Sequence, residues 1–545
     1  MANVKFPRKE FESSLGSKIT KEMESLIPLF GTPLESLSDS EIELEIFPNR
    51  PDLLSMQGFL RAFKAFIGKS PGLKGYKINP PEKKYKVTIS PSVKPVRPFT
   101  ACAIVKNLKF NDESIKEIVD LQEKLHSTVG RNRKKLAIGI YPLEKIKLPI
   151  KYLALPPSKI HFIPLESERE LSGQQILQKH PAGREYAHLL EDKDKYPVFV
   201  DANNKILSMP PIINSHDTGK ITESTDSVFI ECSGWDQQVL QKTLNIIVTT
   251  LSDLGGKVYS MNLHYGSKKL VTPDLSTEKI KISLPDINKL LGLDLKESDL
   301  SKLLPKMGYD YKNSIVQIPA WRTDILHPVD ITEDIAIAYG YDNLVPSIPN
   351  VATVASESQQ SKIESKIREI LIGLELIEIS SYHLIKASES RLYKLKSVIA
   401  LEDSKTEYKI LRPNLLIPAL RILAENKDNE YPQNIFELGT IFSHDEKTET
   451  GLSESTNLLI ASSPSNFTDL KKILDYFASS LSIKLEIKES EHQSLIPGRT
   501  ASVLLNNKPI GYIGEVHPHT LNQWNVKMPL SVLEISLEEI FNLLE

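Results

Sequence analysis

Cysteine is nearly missing from this chain: its 545 residues include only Cys102 and Cys232. With no CxxC pair and no Cys/His cluster, a disulfide scaffold and a structural zinc site are excluded, and a reducing compartment fits. An excess of charge of one sign is missing too. Sixty-seven Lys and Arg residues face 70 Asp and Glu, a net charge of −3, so bulk attraction does not hold nucleic acid and any such contact must be local. Long apolar runs are absent: LNIIVTTL stops well short of a bilayer span, and the start, MANVKFPRKEFESS, has no apolar core of a signal peptide. Neither export nor membrane anchoring is expected, which places the protein in the cytoplasm. The chain also has no GxxxxGK loop, no GxGxxG after a strand, no HExxH and no GxSxG. Self-contained nucleotide, zinc-hydrolase and serine-hydrolase enzymes of those classes are thereby excluded.

What is present is an ordinary globular composition, 40% hydrophobic and 25% charged, long enough for about three or four domains at roughly 150 residues each. Residues 1–84 end in the basic, proline-marked stretch GYKINPPEKKYKVTISPSVKPVRP, which reads as a boundary. From 85 to 265, short β-rich runs such as ACAIVKNL and SVFIECS alternate with helical ones. Residues 266–350 form a compact α+β module, 351–357 read as a linker, and 358–545 alternate amphipathic helices with strands, as expected for helices on an antiparallel sheet. The fold class is multidomain α+β.

Three constellations carry chemistry. In WRTDILHPVDITEDIAIAYGYDN, a helix begun near Pro328 puts Asp330, Glu333 and Asp334 on one face, with Asp324 just upstream. Such oxygens suit Mg²⁺, and like charges this close repel unless a cation neutralises them; acids in a first helical turn are equally favoured by capping and the helix dipole. In SVFIECSG, strand alternation sets Phe229, Glu231 and Ser233 on one face against Val228, Ile230 and Cys232, so Glu231 and Ser233 either share a cavity or lie on a solvated face. In GRNRKK, the loop cations Arg131, Arg133, Lys134 and Lys135 either meet phosphates or stay solvated.

The segment IPAWRTDILHPVDITEDIAIAYGYDNL closely resembles the B5 module of the phenylalanyl-tRNA synthetase beta-subunit family, a small α+β domain of winged, DNA-binding-like type. ELEIFPNRPDLLSMQGFLRAF resembles that family's amino-terminal B1 signature. LHSTVGRNRKKLAIGIYPLEKI and SMPPIINSHDTGKITESTDSVFIECSG resemble its B3/B4 editing region in archaeal and eukaryotic form. LRPNLLIPALRIL, IFELGTIF and IPGRTASVLLNNKPIGYIGEVHP resemble its class II synthetase-like domain.

The resemblance implies a beta subunit that supports ATP-dependent charging of tRNA(Phe) with phenylalanine, ATP being used on a separate alpha subunit within an (αβ)₂ heterotetramer. It implies an Mg²⁺ shared with alpha on Asp324, Asp330, Glu333 and Asp334, the last replacing a more usual Glu. It also implies hydrolysis of mischarged tyrosyl-tRNA(Phe) at Glu231, Ser233 and Ser208, with tRNA phosphates near Arg131, Arg133, Lys134 and Lys135. Relatives more often follow the acid with Val-Thr-Gly-Thr, where this chain has Cys232, Ser233, Gly234 and Trp235. Trp235 would then narrow the pocket or pack beneath it. A class II core that works needs ATP-clamping arginines, which NIFELGTIF and SVLEISLEEIF lack; Arg412 and Arg499, beside proline-marked turns, read as structural or interfacial. Two alternatives remain: a structural, tRNA-binding subunit with editing lost, and a free-standing aminoacyl-tRNA editing hydrolase.

Overall fold

The computed structural model describes residues 2–351, 354–395 and 397–544. Contacts divide the chain into two compact units, Met1–Ile348 and Pro349–Glu545. Of the expected linker 351–357, residues 352 and 353 lie outside the described residues. Among those described, no helix is long and apolar enough to cross a membrane.

The first unit is organised by an eleven-stranded sheet. Its fully buried strand Val228–Gly234 is flanked antiparallel on both sides by Phe99–Lys106 and Leu136–Pro142. Helices Asp112–Ser127 and Gln237–Asp253 bury their apolar stripes on one face of these strands, where Val228, Ile230 and Cys232 join the same core. Phe229 faces the other side, into a second core built by the remainder of the sheet. The alternation read from the sequence therefore holds, but neither face is solvated, because all seven residues of the strand are buried.

Two further layers extend the first core. An amino-terminal three-stranded sheet carries Phe6, and the helices around it carry Phe11, Phe30, Phe59 and Phe63, whose rings contact one another edge-on, stacked or tilted. A second three-stranded sheet, Glu278–Lys281, Asp310–Lys312 and Ile315–Ile318, packs with helices Leu284–Leu291, Glu297–Lys306 and Pro328–Tyr339. Strand pairing crosses the boundaries expected from composition: Ile78–Asn79 pairs with Val258–Tyr259, and Lys268–Thr272 pairs with Lys257–Tyr265. Residues 268–272 thus belong to the central sheet, beyond the boundary expected at 265.

The second unit is a seven-stranded sheet, antiparallel apart from the short parallel edge strand Ile377–Glu378. Helices Gln359–Gly373, Phe467–Ser480 and Glu538–Leu544 pack on one face, and Leu416–Glu425 and Pro518–Trp524 on the other. Helices on a mainly antiparallel sheet are what the alternating periodicities demand.

Candidate functional site

The large sheet curls back on itself, so that strands far apart in its order meet. The Tyr141 hydroxyl, from Leu136–Pro142, lies 3.3 Å from Asn214 Oδ1, on the strand at the opposite end of the order, and 3.2 Å from Glu231 Oε1. Between them lies a cavity of about 100 Å³ lined by Glu231, Asn214, His126, Arg133 and the turn Pro210–Ile213. That is room for several waters. Glu231 is 1% exposed, and its Oε2 has no partner; nor do the hydroxyls of Ser233 and Ser208. Ser208 pairs in register with Asn214, but of these three groups only Glu231 lines the cavity itself. Buried polar atoms are nearly always satisfied, so a carboxyl oxygen without a protein partner on a cavity wall is a place for water or a ligand to bind.

Burial pushes the Glu231 carboxyl up to about 8, against the opposing pull of the Tyr141 hydroxyl and the Arg97 guanidinium. Arg97 is itself buried, its Nη2 donating to the Ser233 carbonyl at 3.0 Å and the Arg133 carbonyl at 3.3 Å. The Ile138 amide donates to His126 Nε2 at 2.8 Å, which leaves the proton on Nδ1, facing Glu123 at 3.2 Å. Burial holds this imidazole below its usual pKa. The site thus sets a buried, protonatable acid beside the Tyr141 hydroxyl in a small cavity walled by Arg133, a setting in which hydrogen bonds are strengthened.

Gly139 sits opposite Glu231 in the ladder. A Cβ there would fall 2.2 Å from the Tyr141 hydroxyl and 2.6 Å from Glu231 Oε1, so only glycine lets both polar groups share the site. Gly139→Ala is expected to destabilise the first unit by about 1–3 kcal/mol through overpacking and to disrupt the cavity; thermal denaturation alongside a hydrolysis assay checks both.

The basic loop divides. Arg131, Asn132 and Arg133 all have left-handed backbones, with φ of 47°, 51° and 63°, and the turn aims Arg133 inward. Its Nη1 donates to the Ile212 carbonyl (2.9 Å), its Nη2 to Glu123 (3.0 and 3.1 Å), and its guanidinium covers the Tyr186 ring. Arg133, expected to meet phosphate, is instead a wall of the cavity. Arg131, Lys134 and Lys135 are exposed. Trp235 neither lines the cavity nor packs beneath it; it is 47% exposed.

The acidic cluster lines a separate cleft of about 620 Å³ that holds Asp324, Asp330, Glu333 and Asp334. Each acid has a partner from the protein. Arg322, almost fully buried, donates to both oxygens of Asp324 (2.8 and 2.7 Å) and to Asp334 Oδ2 (2.7 Å), which also accepts from the Tyr309 hydroxyl. Asp330 caps the helix Pro328–Tyr339 by accepting from the amides of Leu326 and His327, and Glu333 accepts from the Tyr341 hydroxyl. Among the described residues, no group of three or more His, Cys, Asp or Glu is arranged to hold a metal ion. Arg322 thus neutralises Asp324 and Asp334, and Asp330 in the first turn serves as a cap, while Glu333 has only the Tyr341 hydroxyl.

Comparison with known proteins agrees with this layout. A family model for the B3/4 domain matches residues 91–250, one for the tRNA synthetase B5 domain matches 280–341, and one for the phenylalanyl tRNA synthetase beta chain CLM domain matches 344–537. The phenylalanine–tRNA ligase beta subunit of Thermococcus sibiricus is 38% identical over 504 residues, 90% of each chain, and that of Archaeoglobus fulgidus 35% over 531 residues, 95% of each. The chain belongs to the phenylalanine–tRNA ligase beta-subunit family. A crystallised amino-terminal fragment of the phenylalanyl-tRNA synthetase beta subunit from Pyrococcus horikoshii, 36% identical, superposes with a TM-score of 0.59 over 62% of this chain and 99% of that one.

Within this family member the second unit carries no cluster of cations on its central strands. Gln433–His444 and Leu452–Ser463 contain no arginine. Arg412, 1% exposed, is spent on the Thr440 carbonyl (2.8 Å), Ser381 (2.7 Å) and Glu437 (2.8 Å), while Arg499 pairs on the surface with Glu515. Nearby, Glu534 is buried and accepts from Tyr512, Asn457 and the Leu415 amide. The cavity residues that sequence reasoning missed are Tyr141, Asn214, Gly139 and His126. Only Gly139 left a signal, as a lone glycine inside an apolar strand.

Proposed function

We propose that this chain is the non-synthetic subunit of an enzyme that attaches phenylalanine to tRNA(Phe), working with a separate alpha subunit in an (αβ)₂ assembly, and that the cavity at Glu231 hydrolyses tyrosyl-tRNA(Phe). The observation that carries the hydrolytic part is the unpartnered Glu231 Oε2 on the wall of this cavity. An apolar pocket that merely admits phenylalanine rejects the added hydroxyl of tyrosine by only about a hundredfold, so a second, correcting site is useful. Glu231 Oε2 is placed to accept the tyrosyl hydroxyl, a bond phenylalanine does not offer. Water then attacks the ester carbonyl carbon, the bond to the ribose oxygen breaks, and that oxygen takes a proton as tyrosine leaves. Ser208 and Ser233 supply donors that orient water or substrate. Synthesis is assigned to the partner because the second unit offers no arginine on its two long central strands and buries the acid Glu534 instead.

Co-expression with the alpha chain tests this reading. The pair should charge tRNA(Phe), the beta chain alone should form no phenylalanyl-adenylate, and tyrosyl-tRNA should be deacylated. Adenylate made by the purified beta chain would refute the division of labour. Charging without deacylation would leave a structural subunit, and deacylation by a chain that never joins alpha would make it a free-standing hydrolase.

A further inference from the structure

At the end of the strand Val228–Gly234, three neighbouring strands present a ledge unlike the surface around it. Gly234 pairs in register with Phe99 on one side and Leu136 on the other, and the Trp235 amide donates to the Lys135 carbonyl at 3.3 Å. Trp235 is 47% and Phe99 36% exposed. The same sheet end carries the exposed cations Arg131, Lys134 and Lys135. The other two tryptophans, Trp321 and Trp524, are buried.

An exposed indole beside several unpaired cations is the combination that holds single-stranded nucleic acid: aromatic faces stack bases and cations track the backbone. Continuity with the cavity fixes which strand. Arg97 ties the Arg133 carbonyl to the Ser233 carbonyl, so loop, strand end and cavity wall move as one body. Glu231 and Trp235 are four residues apart along the strand, about 13 Å at 3.3 Å per residue, which a short stretch of extended single strand bridges.

We propose that Trp235, flanked by Arg131, Lys134 and Lys135, is a stacking platform for a base near the 3′ end of single-stranded RNA whose terminal ester enters the Glu231 cavity. This rests on the reading of that cavity as a site for aminoacylated tRNA. The platform lies outside the cavity, so it acts on binding and leaves the chemical step alone.

Because Trp235 is the exposed member of three tryptophans, its emission reports on the platform directly. Titrating the full-length chain with a short single-stranded RNA ending in CCA should quench fluorescence, and polyphosphate of equal charge should not. Trp235→Phe should bind the RNA within a few-fold of wild type, and Trp235→Ala roughly ten-fold or more weakly, the usual loss for one stacked base. With tyrosyl-tRNA, Trp235→Ala should raise KM and leave kcat unchanged. RNA that binds without quenching, equal quenching by polyphosphate, or unaltered affinity in Trp235→Ala overturns the platform. Quenching by RNA in a chain that never deacylates tyrosyl-tRNA supports the platform and removes the hydrolytic reading instead.

Discussion

Arg322→Met should cost the first unit about 3–5 kcal/mol at neutral pH, the loss expected when one partner of a buried ion pair is removed and the others stay. Methionine roughly keeps the volume but leaves Asp324 and Asp334 without their shared guanidinium, and Tyr309 loses the cation over its ring. The sign with pH follows from Asp324. Burial pushes its carboxyl up, but the Arg322 bond and charge outweigh this and hold it below the ordinary value. A depressed carboxyl contributes stability above its unfolded pKa of about 3.9 that is lost as pH falls through the folded value. In the variant the unpaired Asp324 takes up a proton more readily, so the gap to wild type should be widest above about pH 5 and shrink as pH drops through the carboxylate range. The first thermal transition, followed from pH 7 to pH 4, measures this. A gap that is constant with pH, or a wild-type melting temperature, would show that Arg322 is not the cation balancing the cleft.

Glu231→Gln should separate stability from activity. The carboxyl is raised to about 8 by burial, so the folded chain keeps a proton that the unfolded chain releases near pH 4.5. Stability linked to this group is fully present below pH 4.5 and declines as pH rises to 8. Glutamine keeps the shape and never ionises. The variant should match wild type near pH 4.5 and be more stable at pH 8–9, by up to several kcal/mol. Because the acid is neutral at about pH 7, the glutamine amide oxygen accepts the tyrosyl hydroxyl in its place, and hydrolysis of tyrosyl-tRNA should stay within a few-fold. Glu231→Ala, which removes the acceptor, should lower it about 10-fold, the worth of one neutral hydrogen bond. Chargeable tRNA and aminoacylation with alpha should be unaffected. A Glu231→Ala variant that hydrolyses tyrosyl-tRNA at the wild-type rate would remove Glu231 from substrate recognition. A stability difference independent of pH would mean that the acid is not held protonated.

Both expectations rest on side chains whose partners come from distant parts of the chain, and that sets how much was legible in advance. Local periodicity was reliable. Alternation in SVFIECSG assigned Val228, Ile230 and Cys232 to one core and Phe229 to the other side, because a strand turns its side chains to opposite faces whatever it packs against. Pro328 and the acids after it located the helix Pro328–Tyr339, since proline at the first turn and a capping acid are set by backbone geometry alone. The absence of arginines from the long strands of the second unit was visible without any coordinates.

Only the tertiary structure decided which buried polar group met which. Arg322 and Asp334 lie twelve residues apart and Tyr309 is more distant still, so the guanidinium that two acids of the cluster meet was not set by their spacing. Arg133 turned inward on a left-handed backbone while its neighbours stayed in solvent, a choice that no charge pattern encodes. Tyr141 reached Asn214 and Glu231 because an eleven-stranded sheet curls until the two ends of its strand order touch. The sequence determines each residue's face through the fixed periods of the backbone. The partners on that face depend on sheet curvature and on packing summed over the whole first unit, which no short window of residues contains.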